Sequence, residues 1–161
     1  MEKIWLKNYP PGVPAEINPA EYRSLVEILE ESCRHFADLP AFTSMDKTVS
    51  YARYDELSRD FAAWLQTHAQ LEKGDRIAIM LPNVLQYPIA LFGALRAGLT
   101  VVNTNPLYTA RELEHQLKDS GAKAIVILEN FAHVLEEVID RTELEHVIVT
   151  AMGDLLDWPK S

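Results

Sequence analysis

From residue 74 to residue 150 the chain alternates short apolar runs, rich in β-branched residues, with segments of helical period. No other feature restricts the fold as strongly. The runs at 76–81, 100–103, 124–128 and 147–150 have strand length and are bounded by turn residues. Helical patterns occupy 84–97, 109–120 and 131–139 between them. Parallel strands need a long crossover connection, and a helix supplies it. The pattern therefore predicts an α/β fold: a mostly parallel sheet with right-handed crossovers and helices on both faces.

Local signals sharpen that reading. Segment 84–97 is apolar all round, as a buried helix would be. Pro88 should bend its first turns or mark its true start. Gly98 suits the left-handed position that follows a helix. Thr109 and Glu112 have the spacing of a capping box, Glu114 and Lys118 form an i,i+4 pair, and Gly121 ends the helix. Upstream, Asn18-Pro19 reads as a helix start, with a helix to about residue 37 whose apolar positions are Leu25, Val26, Leu29, Cys33 and Phe36. Segments 41–44 and 48–50 read as a hairpin turning at 45–47. A helix over 51–68 then aligns Tyr54, Leu57, Phe61, Trp64, Leu65 and His68 on one face. Residues 1–20, with Pro10, Pro11, Pro14 and Pro19, read as an extended arm. Residues 21–152 read as one α/β unit, and 153–161 as a tail leading into a downstream part of a larger protein.

Composition excludes several function classes. Hydrophobic residues make up 48% of the 161, enough for a real core. A net charge of −9 with no basic run disfavours nucleic acid as a partner. Residues 77–95 carry no charge and reach the usual membrane-spanning length of about 18. Pro82-Asn83, Gln86 and Pro88 interrupt them, so they read as a buried strand, turn and helix. The N-terminus has no apolar core of a secretory signal. Cys33, the single cysteine, excludes an internal disulfide, fits a reducing compartment and sits in an apolar stripe, where it reads as a small core hydrophobe.

Phosphate cradles are missing. Neither G-x-G-x-x-G nor G-x-x-x-x-G-K-[ST] occurs, and the six glycines stand singly. The histidines (His35, His68, His115, His133 and His146) have no metal-ligand spacing, and there is no G-x-S-x-G elbow. No catalytic residue, cofactor-binding residue or metal ligand is therefore assigned. Ligands of open α/β sheets bind beyond the carboxyl ends of the strands. Here those ends carry Asn83, then Asn103 and Asn105, then Glu129 and Asn130. Asn83, Asn103 and Asn105 are the candidate groove-rim positions. Turn and cap chemistry is the competing reading: Asn83 as a cap of the next helix, Asn105-Pro106 as a turn opener.

The stretch GDRIAIMLPNVLQYPIALFGALRAGLTVVNTNPLYTARELEHQLKDSGAKAIV, residues 74–126, resembles adenylate-forming acyl-CoA synthetases, most closely the bacterial long-chain fatty-acid–CoA ligases. The run from Asn105 to Ala122 is the densest match, with Ala110 where proline is common. Trp5, Tyr9-Pro10 and Val13-Pro14 are similar to the family's N-terminal arm, 51–65 to its early helix, and Met152-Gly153-Asp154 to a later motif. The resemblance implies an enzyme that uses fatty acid, ATP, Mg2+ and coenzyme A, working in the cytoplasm with peripheral contact at the inner membrane and a homodimer surface. Such enzymes are more than three times as long, and their phosphate loop, ribose-binding acid and catalytic lysine have no counterpart here. The chain is thus expected to be an N-terminal scaffold piece, inactive alone, with no cofactor bound. Two other readings stand beside it: a non-enzymatic binding module of ligase-like fold, and a piece of another adenylate-forming ligase.

Overall fold

A computed structural model describes residues 2–156. Its centre is a four-stranded sheet built from β3 (Arg76–Met80), β4 (Thr100–Asn103), β5 (Ala124–Leu128) and β6 (His146–Thr150). The spatial order is β4-β3-β5-β6, and every neighbouring pair is parallel. This is the α/β architecture expected from the alternation.

Two helical layers sandwich the sheet, and the strand period sorts side chains between them. Ile77, Ile79 and Leu81 join Ala124, Val126 and Leu128 on one face, under α2 (Tyr51–Thr67) and α3 (Gln86–Arg96). Ala78, Met80, Ile125 and Ile127 face the other way, under α4 (Ala110–Ser120) and α5 (Ala132–Glu136). A third cluster lies outside α3, where α1 (Leu25–His35) and the hairpin of β1 (Pro40–Ser44) and β2 (Lys47–Ser50) pack on Leu85, Ile89 and Phe92. Cys33 belongs to it and is buried as a hydrophobe, where burial pushes its thiol pKa up. Among the described residues no helix is long and apolar enough to cross a membrane.

Several boundaries differ from the sequence reading. Asn18-Pro19 does not start α1. Asn18 closes one isolated turn, accepting from the amides of Ala20 at 3.1 Å and Glu21 at 3.2 Å. The helix starts after Ser24, whose hydroxyl accepts from the Glu27 amide at 3.1 Å; the stripe it buries runs from half-buried Val26 through Leu29 to Cys33, while Leu25 stays exposed. The hairpin turn is two residues, Met45-Asp46, at φ 48° and 61°, with Ser44 paired to Lys47. In α3 the helix opens at Gln86, so Pro88 lies in the first turn, where its missing N–H costs no bond. The expected continuous helix at 131–139 is broken: α5 is flanked by 3-10 turns at Glu129–Phe131 and Ile139–Arg141. Phe131 stands at its N-cap and offers no side-chain acceptor.

On α2, Trp64 and His68 are not core residues. The buried line is Tyr54, Ser58, Ala62 and Leu65, while the Phe61, Trp64 and His68 rings stack along the adjoining face. Small residues allow this closeness. A Cβ on Gly93 of α3 would lie 2.6 Å from Phe61 Cδ1 and 3.1 Å from the Ser58 carbonyl. The same three-helix junction holds Arg96, whose guanidinium pairs with Glu30 of α1 at 3.0 Å and with Asp55 of α2. The capping box at Thr109 and Glu112, the Glu114–Lys118 pair at 2.6 Å and the left-handed Gly121 are all present. Gly98 is left-handed too, at φ 80°. The expected tail at 153–161 is described only to residue 156, as turns; the rest lies outside the described residues.

Candidate functional site

The strand order creates a switch point. The connection through α3 leads from β3 outward to β4, whereas the connection through α5 leads from β5 outward to β6. The two crossovers pack on opposite faces, so a crevice opens beyond the carboxyl ends of β3 and β5. The loops there begin with Pro82-Asn83 and Glu129-Asn130, and the Asn103-Thr104-Asn105 loop after β4 adjoins Asn83.

The three candidate rim residues fare differently. Asn83 does not cap α3, because Leu85 holds the N-cap without a side-chain bond. It is exposed instead, on the lip of an apolar groove of about 390 Å³ between the hairpin and the start of α3, walled by Phe42, Tyr54, Tyr87, Leu91 and Phe92. Asn103 is engaged on both sides. Its side-chain carbonyl accepts from the Tyr87 hydroxyl at 3.0 Å, and its backbone carbonyl accepts from Gln116 Nε2 at 3.0 Å. Asn105 does turn chemistry: its side chain accepts from the Leu107 amide at 3.0 Å and its carbonyl from the Tyr108 amide at 3.1 Å. Buried Thr104 closes the loop by donating its amide to the Ile79 carbonyl at 3.0 Å.

Sequence reasoning missed the wall of this groove. Tyr54 looked like one core residue among many on α2. It is 2% exposed, and its hydroxyl reaches the Pro88 carbonyl at 3.1 Å, tying α2 to α3. Burial pushes its phenol pKa up, so it stays a neutral donor. No local signal marked it, because its partner Pro88 lies 34 residues away along the chain. Among the described residues no group of three or more His, Cys, Asp or Glu side chains converges to hold a metal ion. Some acidic and basic side chains form structural pairs, such as Lys123 with Asp75 at 2.8 Å and Arg141 with Glu114 at 2.9 Å. The groove beside Asn83 presents amides, hydroxyls and aromatic walls, a surface that can orient a ligand.

Residues 29–161 match the family of AMP-binding enzymes. The chain belongs to that family. It is 59% identical over 160 residues to a long-chain-fatty-acid–CoA ligase of Escherichia coli O157:H7, with 99% of the chain and 28% of the relative covered. A ligase of the same name from Bacillus subtilis is 36% identical over 160 residues, again with 99% and 28% covered. The chain thus spans between a quarter and a third of the length of these relatives, and it matches their N-terminal region. Among solved structures, a long-chain-fatty-acid-CoA ligase from Archaeoglobus fulgidus superposes with a TM-score of 0.77 at 23% identity, covering 91% of this chain and 32% of that one. The anthranilate CoA ligase AuaEII gives 0.76 at 21%, covering 80% and 25%. These two show a shared fold. Within the AMP-binding family, then, the chain is an N-terminal α/β unit.

Proposed function

We propose that the chain is the N-terminal scaffold of a ligase that joins a long-chain fatty acid to coenzyme A at the expense of ATP. The carrying observation is the 59% identity across 160 residues to ligases of that name. On this reading the full-length enzyme lets the fatty-acid carboxylate attack the α-phosphorus of ATP. Pyrophosphate leaves, and the coenzyme A thiol then displaces AMP from the acyl carbon. The charge that develops on the transferring nucleotide needs preorganised donors. Among the described residues there is neither a glycine-rich cradle nor a cluster suited to Mg2+, so both belong to the rest of the enzyme.

The described unit contributes packing and one wall. Asn83, Asn103 and Asn105 form its polar rim, and Tyr87 fixes the Asn103 side chain so that the rim does not collapse into the groove. A homodimer and a peripheral contact at the inner membrane are parts of this reading that rest on the family resemblance alone. The test is ATP–pyrophosphate exchange with oleate. The full-length product is expected to catalyse it and the 161-residue chain to be silent. Exchange that copurifies with the short chain, or a full-length product without it, would overturn the reading.

A further inference from the structure

Every described side chain of the two clusters that flank the sheet comes from residue 61 onward. α1 and the β1–β2 hairpin, which fill residues 25–50, contribute nothing to either. Their buried side chains, Leu29, Cys33 and Val49, belong to the third cluster. There they meet Tyr54, Leu85, Ile89 and Phe92, with Leu155 and Leu156 leaning in from beyond β6. The hairpin is a two-stranded sheet of its own, so no ladder joins it to the four central strands. Two backbone bonds mark where the segment meets the body. The Tyr51 amide donates to the Leu39 carbonyl at 3.1 Å, and the Ala52 amide donates to the Ala37 carbonyl at 3.0 Å. Residues 25–50 can therefore swing away from α3 about this junction without breaking a bond of the central sheet.

The charged link across the seam is built so that it can open. Arg96 of α3 donates from Nη1 to Glu30 of α1 at 3.0 Å and from Nη2 to Asp55 of α2. The Glu30 side chain is 49% exposed and Asp55 only 25%, so Glu30 is the partner that water replaces at low cost. When α1 leaves, the guanidinium keeps Asp55 and is not stranded. Its Nε is buried with no partner among the described residues, and opening gives it water. The same seam divides the groove beside Asn83. Phe42, Thr43 and Ser44 stand on the hairpin, while Tyr87, Leu91 and Phe92 stand on α3. The Phe42 ring closes the groove edge-on to Tyr54, with the ring centres 5.0 Å apart.

We propose that residues 25–50 are a lid over this groove, opening as one unit while the sheet stays folded, with the Glu30–Arg96 pair as its clasp. Units that open below the global unfolding free energy are those with few buried apolar contacts, and three fully buried side chains hold this one. The proposal is independent of the ligase reading.

Hydrogen exchange read by mass spectrometry on the 161-residue chain tests it, with thiol labelling of buried Cys33 as a second probe. The hydrogen-bonded amides of α1 and the hairpin are expected to exchange at one common rate, about tenfold or more above those of β3 and β5. Cys33 labelling should follow α1 and not the strands. Glu30→Gln removes the charge but keeps an acceptor. It should speed α1, the hairpin and Cys33 labelling by about two- to fivefold and leave β3 and β5 unchanged. Leu117→Ala, in the core under α4 on the other face, should speed the strands and leave the lid as it was. Equal protection of 25–50 and the strands would overturn the proposal. So would different rates for α1 and the hairpin, or a Glu30→Gln effect that reaches the strands equally. If the short chain does not fold cooperatively, the same peptides compared in the full-length ligase decide by the same outcomes.

Discussion

Gly93→Ala should destabilise the protein although helix propensity alone says the opposite. Gly93 lies inside α3, where alanine is favoured over glycine by about 1 kcal/mol. Its added Cβ would meet Phe61 Cδ1 at 2.6 Å, Phe61 Cβ at 3.1 Å and the Ser58 carbonyl oxygen at 3.1 Å. The ring edge can rotate away. The Cβ and the carbonyl are fixed to the α2 backbone and yield only if the two helices separate. Overpacking of this kind costs about 1–3 kcal/mol, and two immovable contacts place it in the upper half. The net loss is then about 1–2 kcal/mol, or about 5 °C in melting temperature for a chain of this size. Circular dichroism melts of wild type, Gly93→Ala, Phe61→Leu and the double variant provide the assay. Leucine at 61 removes the movable ring but keeps the Cβ, so the double variant should recover little, with a coupling below about 0.5 kcal/mol. A Gly93→Ala melt above wild type would refute the close-packing account, and a coupling well above that bound would make the ring, not the fixed atoms, the obstacle.

Three further outcomes follow from named contacts. Arg96→Met should cost about 2 kcal/mol in urea unfolding, because it takes from Asp55 and Glu30 a guanidinium that is 7% exposed; Arg59, 3.4 Å from Asp55, and water at the half-open Glu30 keep the loss below that of a fully buried pair. Thr109→Ala should cost about 1 kcal/mol by the same measurement, with Thr109→Ser nearly neutral, since the hydroxyl accepts from the Glu112 amide and the rest of the residue is exposed. The Lys123 ammonium and the Glu72 amide hold the Asp75 carboxyl below the usual carboxylate range. Its folded pKa is lower than its unfolded one, so the stabilisation is present above about pH 4 and is lost as pH falls through the lower folded value. Melting temperature measured from about pH 5 to pH 2 should drop more steeply in wild type than in Asp75→Asn, and parallel curves would contradict this.

How far the sequence could be read depended on the range of the interaction. The capping box at Thr109, the turn at Asn105 and the left-handed Gly98 and Gly121 involve atoms a few residues apart, and each is found where expected. The start of α1 was misread because Asn18-Pro19 and Ser24 are both good caps. What separates them is whether an apolar stripe follows to be buried. The second face of α2 was misread for a related reason. Trp64 and His68 continue the helical spacing, but the space α3 leaves beside Gly93 is filled by Phe61, and the two rings stack outside it. At the rim, Asn103 and Asn105 could be named but not their engagements, since Tyr87 lies on a different element from Asn103.

By itself the sequence determined most of the elements, their alternation, the parallel α/β class and the missing phosphate cradle, because period and short-range turn chemistry are written in neighbouring residues. Only the tertiary structure decided the order β4-β3-β5-β6, which helices share a face, and where Gln86, Arg96 and Tyr54 send their polar atoms. Those partners lie 34 to 66 residues away along the chain. Such distances leave no local period, and many pairings satisfy the same apolar pattern until the two helical layers close on the sheet.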